Sequence, residues 1–104
     1  MVVNNERKRY ILIEILGEKP DIRKIINECK NKISLIDGQI GVAKAAIYGI
    51  DFKNNLIIIK TNHLMRQTVE AAIALLNDSS WKVETRLVSG TIKKIKTHID
   101  TVKQ

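Results

Sequence analysis

The residues best equipped for chemistry lie together near the end of the chain, in Ser89-Gly90-Thr91-Ile92-Lys93-Lys94-Ile95-Lys96. A short apolar run stops at Ser89, and the spacing of Ile92, Ile95, Ile99 and Val102 then predicts a helix over 91–102. The first turn of a helix carries unpaired N–H groups and a partial positive charge. Lysines there cost a few tenths to about 1 kcal/mol each. Lys93, Lys94 and Lys96 become favourable when an anion lies between them and the helix end, and a phosphate suits both the ammonium groups and backbone N–H groups. The bland alternative is a solvated basic helix that tolerates the misfit.

Other polar residues extend this set: Arg7, Lys8 and Arg9 before the first strand, Lys44 on the second, and Lys60, Asn62, His63 and Arg66 around the exit of the third. Each lysine alone also reads as a solvated surface position; as a set they point to a polyanion. Eighteen Lys and Arg against eleven Asp and Glu give +7 at pH 7. The excess sits at the two ends, +3 over residues 1–36 and +3 over 91–104, with +1 between. Nucleic acid is the first partner such a balance suggests, and an anionic membrane the second.

Other chemistry finds little support. His63 and His98 have no visible nucleophile or carboxylate partners, His98 reads as a surface residue, and His63 suits a cap or a contact. The acidic pairs show no two-metal organisation. Gly38 and Gly41 lack the context of a phosphate-binding loop. No catalytic and no metal-binding residues are expected. The single cysteine, Cys29, excludes an internal disulfide or a cysteine-based metal site and falls within an apolar helical stripe, so it reads as core. No apolar run approaches the ~18–20 residues of a membrane span, and no signal peptide is seen. A reducing cytosol is the expected home, with no membrane partner.

The elements that must position these residues can be read in order. A chain of 104 residues makes one domain, 1–104, with residues 1–8 as a flexible basic arm. Tyr10–Leu16 reads as a strand. Asp21 opens a helix with its stripe at Ile22, Ile25, Ile26, Cys29, Ile33 and Ile36. Lys30 and Lys32 near its end agree with the helix dipole. Residues 37–41 read as a loop, 42–50 as the second strand, and 51–55 as a hairpin turn with Asn54-Asn55 suited to left-handed backbone. Strands over 56–61 and 81–89 flank a helix over 64–76, for which Asn62 is a candidate N-cap. The order β-α-β-β-α-β plus a helix gives an α+β fold, a ferredoxin-like, RNA-recognition-like split βαβ sandwich with an additional C-terminal helix.

Leu56-Ile57-Ile58-Ile59 is apolar without alternation, so the third strand must be covered on both faces. Two helices can cover one; the C-terminal helix or a partner must cover the other. The third strand has no aromatic residue and the first has only Tyr10. Base stacking on an open sheet is therefore not expected, and nucleic acid should be held through its backbone.

Five segments also resemble a known family: Glu6-Arg7-Lys8-Arg9-Tyr10, Gly41-Val42-Ala43-Lys44-Ala45 leading to Ile50-Asp51-Phe52, Thr61-Asn62-His63, Glu70 to Leu75, and Val88 to Lys93. In this order and spacing they resemble the family of archaeal ribonuclease P protein component 2 and its eukaryotic ribonuclease P and MRP relatives, from about Glu6 to Ile95. The resemblance implies a non-catalytic subunit of the ribonucleoprotein that removes the 5′ leader of precursor tRNA. It implies that the catalytic RNA carries the chemistry with Mg²⁺, that no cofactor is bound by this chain, and that ribonuclease P protein component 3, a TIM-barrel-like protein, and other ribonuclease P proteins are partners. It also implies that a homodimer can form within a two-plus-two assembly. The rival readings are a generic RNA-binding ferredoxin-like domain outside ribonuclease P and a protein-interaction or regulatory module that binds no RNA.

Overall fold

A computed structural model describes residues 7–102. Residues 1–6 of the expected arm and the side chain of Val102 lie outside the described residues. The elements are β1 (Lys8–Gly17), α1 (Ile22–Ala45), β2 (Tyr48–Asp51), β3 (Leu56–Asn62), α2 (Arg66–Ala74), β4 (Trp81–Ser89) and α3 (Ile92–Val102). The strands form one antiparallel sheet in the order β2-β3-β1-β4. This is the α+β split βαβ arrangement that the element order predicts.

Strand alternation divides the core in two. Ile11, Ile13, Ile15, Ile57 and Ile59 point to one face and meet Ile25, Cys29 and Ile33 of α1 and Val69 and Ile73 of α2. Leu12 and Ile58 point to the other face and meet Ile95 and Ile99 of α3, with Tyr10, Ile50, Phe52, Leu56, Leu87 and Ile92 packed around them. The unbroken Leu56–Ile59 run thus has its physical reason: the strand is buried on both sides, and α3 is the second cover. The Asn54-Asn55 turn has φ of 62° and 61°, the left-handed backbone expected of those residues.

The first helix differs from expectation. It continues to Ala45 across a kink at Gly38 (φ 70°, ψ −176°), so the predicted loop at 37–41 and most of the predicted strand at 42–50 are helical, and β2 keeps only Tyr48–Asp51. Residues 42–50 read as a strand, but the Ala43-Lys44-Ala45 run forms helix readily, and Gly41, Ala45 and half-buried Val42 turn inward after the kink. Lys44 therefore sits in the last turn of α1 rather than on a strand. The buried stripe ends at Ile33, and Ile36, just before the kink, is 45 % exposed. β1 begins at Lys8, two residues earlier than predicted, so Lys8 belongs to the sheet rather than the arm. α2 is shorter than 64–76, and its N-cap is Met65, not Asn62.

Cys29 is fully buried, and burial pushes its thiol up to about 12. A thiol is neutral below its pKa, so this costs no stability at pH 7. Stability is lost only as pH rises above the ordinary thiol range, where the unfolded chain ionises and the folded one does not. Cys29 is expected to resist a thiol reagent at pH 8 in the native protein and to react fully in denaturant. Rapid native labelling, followed by mass spectrometry, would contradict its place in the core.

Candidate nucleic-acid interface

The antiparallel register brings distant segments to one end of the molecule. Lys8 pairs with Asn62, Tyr10 with both Lys60 and Ser89, and Tyr48 with Lys60. The start of β1, the exits of β3 and β4, the C-terminus of α1 and the N-termini of α2 and α3 therefore share that end. Every residue singled out in the sequence is placed there: Arg7, Lys8, Arg9, Lys44, Lys60, Asn62, His63, Arg66, Ser89, Gly90, Thr91, Lys93 and Lys94, with Lys96 a turn further along α3. Arg7, Lys8 and Arg9 near one end of the sequence and Lys93, Lys94 and Lys96 near the other are thereby brought to one pole of the fold.

Most charges of this pole have no carboxylate partner among the described residues. Among the described residues, Lys19, Arg23 and Arg86 pair with carboxylates elsewhere, and Arg66 pairs with Glu70 at 3.7 Å. Arg7, Lys8, Arg9, Lys44, Lys60, Lys93, Lys94 and Lys96 make no ion pair among those residues. Most of these side chains are exposed, while Arg9 and Lys60 are half-buried. Clustered like charges repel, and a bound polyanion reverses the sign of that term.

The polar members of the set have internal partners. Thr61 Oγ1 donates to the Ala45 carbonyl at 2.8 Å, and Asn62 Nδ2 donates to the Lys44 carbonyl at 2.7 Å. These bonds satisfy carbonyls at the C-terminus of α1. Asn62 Oδ1 accepts from the Met65 N–H at 3.0 Å, fixing the turn into α2. His63 Nδ1 accepts from the Arg7 N–H at 2.9 Å, and the His63 N–H donates to the Arg7 carbonyl at 2.8 Å. Thr61-Asn62-His63 is thus the joint that gathers α1, α2 and the entry to β1, and buried Asn62 positions the interface from within. Asn62→Ala is expected to cost about 1–2 kcal/mol by stranding a donor and an acceptor, read as a lower urea midpoint at unchanged m-value. An unchanged midpoint would remove Asn62 from this role.

At α3, the Ser89 hydroxyl accepts from the Thr91 N–H at 3.2 Å and the Thr91 hydroxyl accepts from the Lys94 N–H at 3.3 Å. Two donors expected for a phosphate are thus already used, and Thr91 caps the helix. Arg9 Nη1 donates to the Lys8 carbonyl at 2.8 Å and lies 3.4 Å from where a Cβ on Gly90 would stand. The Arg9 guanidinium thus lies close to Gly90, at the turn from β4 into α3.

On the opposite half of the sheet, a cleft of about 520 Å³ beside α3 is lined by Leu12, Glu14, Asn54, Leu56, Arg86, His98 and Ile99. The β1–β4 register shift leaves Arg86 without a partner in the ladder, and its guanidinium reaches Glu14 at 2.6 Å and Glu84 at 2.9 Å. His98 borders this cleft. Among the described residues, no group of three or more His, Cys, Asp or Glu could hold a metal ion, and no helix is long and apolar enough to cross a membrane. Considering only the first and third strands for stacking aromatics left out Tyr48 on β2, which is 64 % exposed.

The Rpp14/Pop5 family matches residues 9–99 of this chain. Among solved structures, a chain in the cryo-EM structure of yeast ribonuclease MRP shares the fold with a TM-score of 0.64 at 13 % identity, over 91 % of this chain and 92 % of that one. No curated protein matches.

Proposed function

The chain belongs to the Rpp14/Pop5 family of ribonuclease P and MRP protein subunits, and on that footing we propose that it supports the catalytic RNA of ribonuclease P in removing the 5′ leader of precursor tRNA. The observation that carries the reading is the pole of cations drawn from both ends of the chain, most of them without a carboxylate partner among the described residues. Folding an RNA brings phosphates together, and fixed protein cations offset that repulsion and lower the Mg²⁺ concentration the RNA requires. The RNA supplies the metal-dependent hydrolysis. This chain supplies charge at fixed positions and shows no catalytic set among its described residues. Protein component 3 and the other ribonuclease P proteins are its proposed protein partners, and a homodimer within a two-plus-two assembly is the proposed form.

The test is precursor-tRNA cleavage by the cognate catalytic RNA at limiting Mg²⁺, with this chain alone, component 3 alone, and both. Large activation only with both is the expected result. No activation, with RNA and component 3 shown to be competent, would leave a general RNA-binding domain.

A further inference from the structure

We infer that Tyr48 is a stacking platform for an unpaired RNA base, set next to cations that hold the adjoining phosphates. The inference rests on the RNA-binding reading above. Tyr48 pairs with Lys60 across β2–β3, and Lys60 pairs with Tyr10 across β3–β1. Ile50, two residues along β2, packs into the cluster beneath α3, so Tyr48 points to that same face. The helix covers Leu12 and Ile58 in the middle of the sheet and leaves this edge of β2 open.

Tyr48 stands apart from the other aromatic residues. Trp81 is buried, and Tyr10 and Phe52 pack against the α3 cluster. Tyr48 alone presents a large ring to solvent, 64 % exposed, with no place in either core. Its backbone is nonetheless held firmly. A Cβ on Gly49 would come within 2.7 Å of Ile26 Cδ1, so β2 lies directly on α1 at this point. A tyrosine ring on a firmly held backbone has only two side-chain torsions to fix when a planar ligand settles on it.

The surroundings select the ligand. Directly opposite Tyr48 is Lys60, and beyond Tyr10 in the same row is Ser89, where α3 and its lysines begin. A nucleotide with its base on Tyr48 has Lys60 beside it on the same face, and the row through Tyr10 and Ser89 leads the neighbouring phosphates toward Lys93. Aromatic stacking accepts any base, because each has a π-face, and adds to charge attraction without depending on salt.

The probes are a ten-residue oligouridylate and an abasic ten-mer with the same number of phosphates, bound to the whole chain. The expected result is tighter binding of the oligouridylate by about 5- to 150-fold, a preference that Tyr48→Ala abolishes and Tyr48→Phe keeps. The salt dependence should be the same in all three proteins, and the melting curve of Tyr48→Ala should match the wild type. Equal affinity of the wild type for both oligomers overturns the proposal, as does a preference that survives Tyr48→Ala. So does a Tyr48→Ala variant that keeps the preference but loses binding to a ribonuclease P protein subunit, since the ring would then be a protein contact. Those outcomes leave salt-dependent RNA binding intact, whereas absence of binding to either oligomer and to the catalytic RNA would remove the RNA-binding reading itself.

Discussion

Ile58→Ala will destabilise the domain by about 3–4 kcal/mol, within the usual range for a fully buried isoleucine cut to alanine, and will release α3 before the rest. Ile58 has no exposed surface, sits in the centre of the sheet, and supports α3 through Ile95 and Ile99. Among the described residues, these are the two buried side chains of α3, and α3 is the helix that covers that face. The cavity left by the missing carbons therefore opens where the structure has least to fill it. Ile57→Ala is the control, because Ile57 is equally buried on the same strand but faces α1 and α2. Both variants should lose similar stability in urea titrations. In native hydrogen exchange, Ile58→Ala should raise exchange in α3 beyond the global change, and Ile57→Ala should not. Uniform exchange in both would mean that α3 does not open separately. Since α3 carries Lys93 and Lys94, Ile58→Ala should also weaken RNA binding without touching a cation.

The burial of the third strand on both faces was already legible in the sequence, because four apolar residues without alternation demand cover on two faces, and the last helix or a partner had to supply the second; the structure has α3 there. The strand-two error has an equally physical source. Between Asp37 and Ala46 the sequence offers two glycines, two β-branched residues and an alanine run, which fit a loop and strand as well as a kinked helix. Packing decides for the helix, since Gly41 and Ala45 are buried. The site was legible as residue types, not as a place. The spacing of Lys8, Lys60 and Lys93 along the chain says nothing of their shared end until β1 pairs with β3 and β4. Asn62 read as a contact residue or a helix cap, and its bond to an α1 carbonyl, like that of Thr61, depends on α1 reaching Ala45, which the sequence reading did not foresee. Tyr48 is an ordinary strand residue by pattern, and only its place at the sheet edge leaves its ring uncovered.

Lys93→Ala with Lys94→Ala should move binding and stability in opposite directions. If about five phosphates are contacted, log affinity for the catalytic RNA falls with log salt at a slope near −4, and removing two contacts should bring it to about −2.5. At 0.1 M salt the same two contacts correspond to roughly a 30-fold loss of affinity. Both side chains are exposed, and neither makes an ion pair among the described residues, so their loss breaks nothing visible in the fold. They stand at the positive end of α3, where Thr91 already caps the helix. Removing them relieves an unfavourable charge at the dipole and places alanine, the best helix former, in the first turn. The variant should therefore be more stable than the parent by a few tenths to about 1 kcal/mol in urea titrations. Lys93→Arg with Lys94→Arg should keep the salt slope and the parent's stability. A local cost in the free protein that becomes a gain in the complex is the signature of side chains placed for a ligand. If the alanine variant bound RNA with an unchanged slope, these lysines would be solvated surface residues. If it lost stability, they would serve the fold, and the phosphate contacts would have to come from Arg7, Lys8, Arg9 and Lys60.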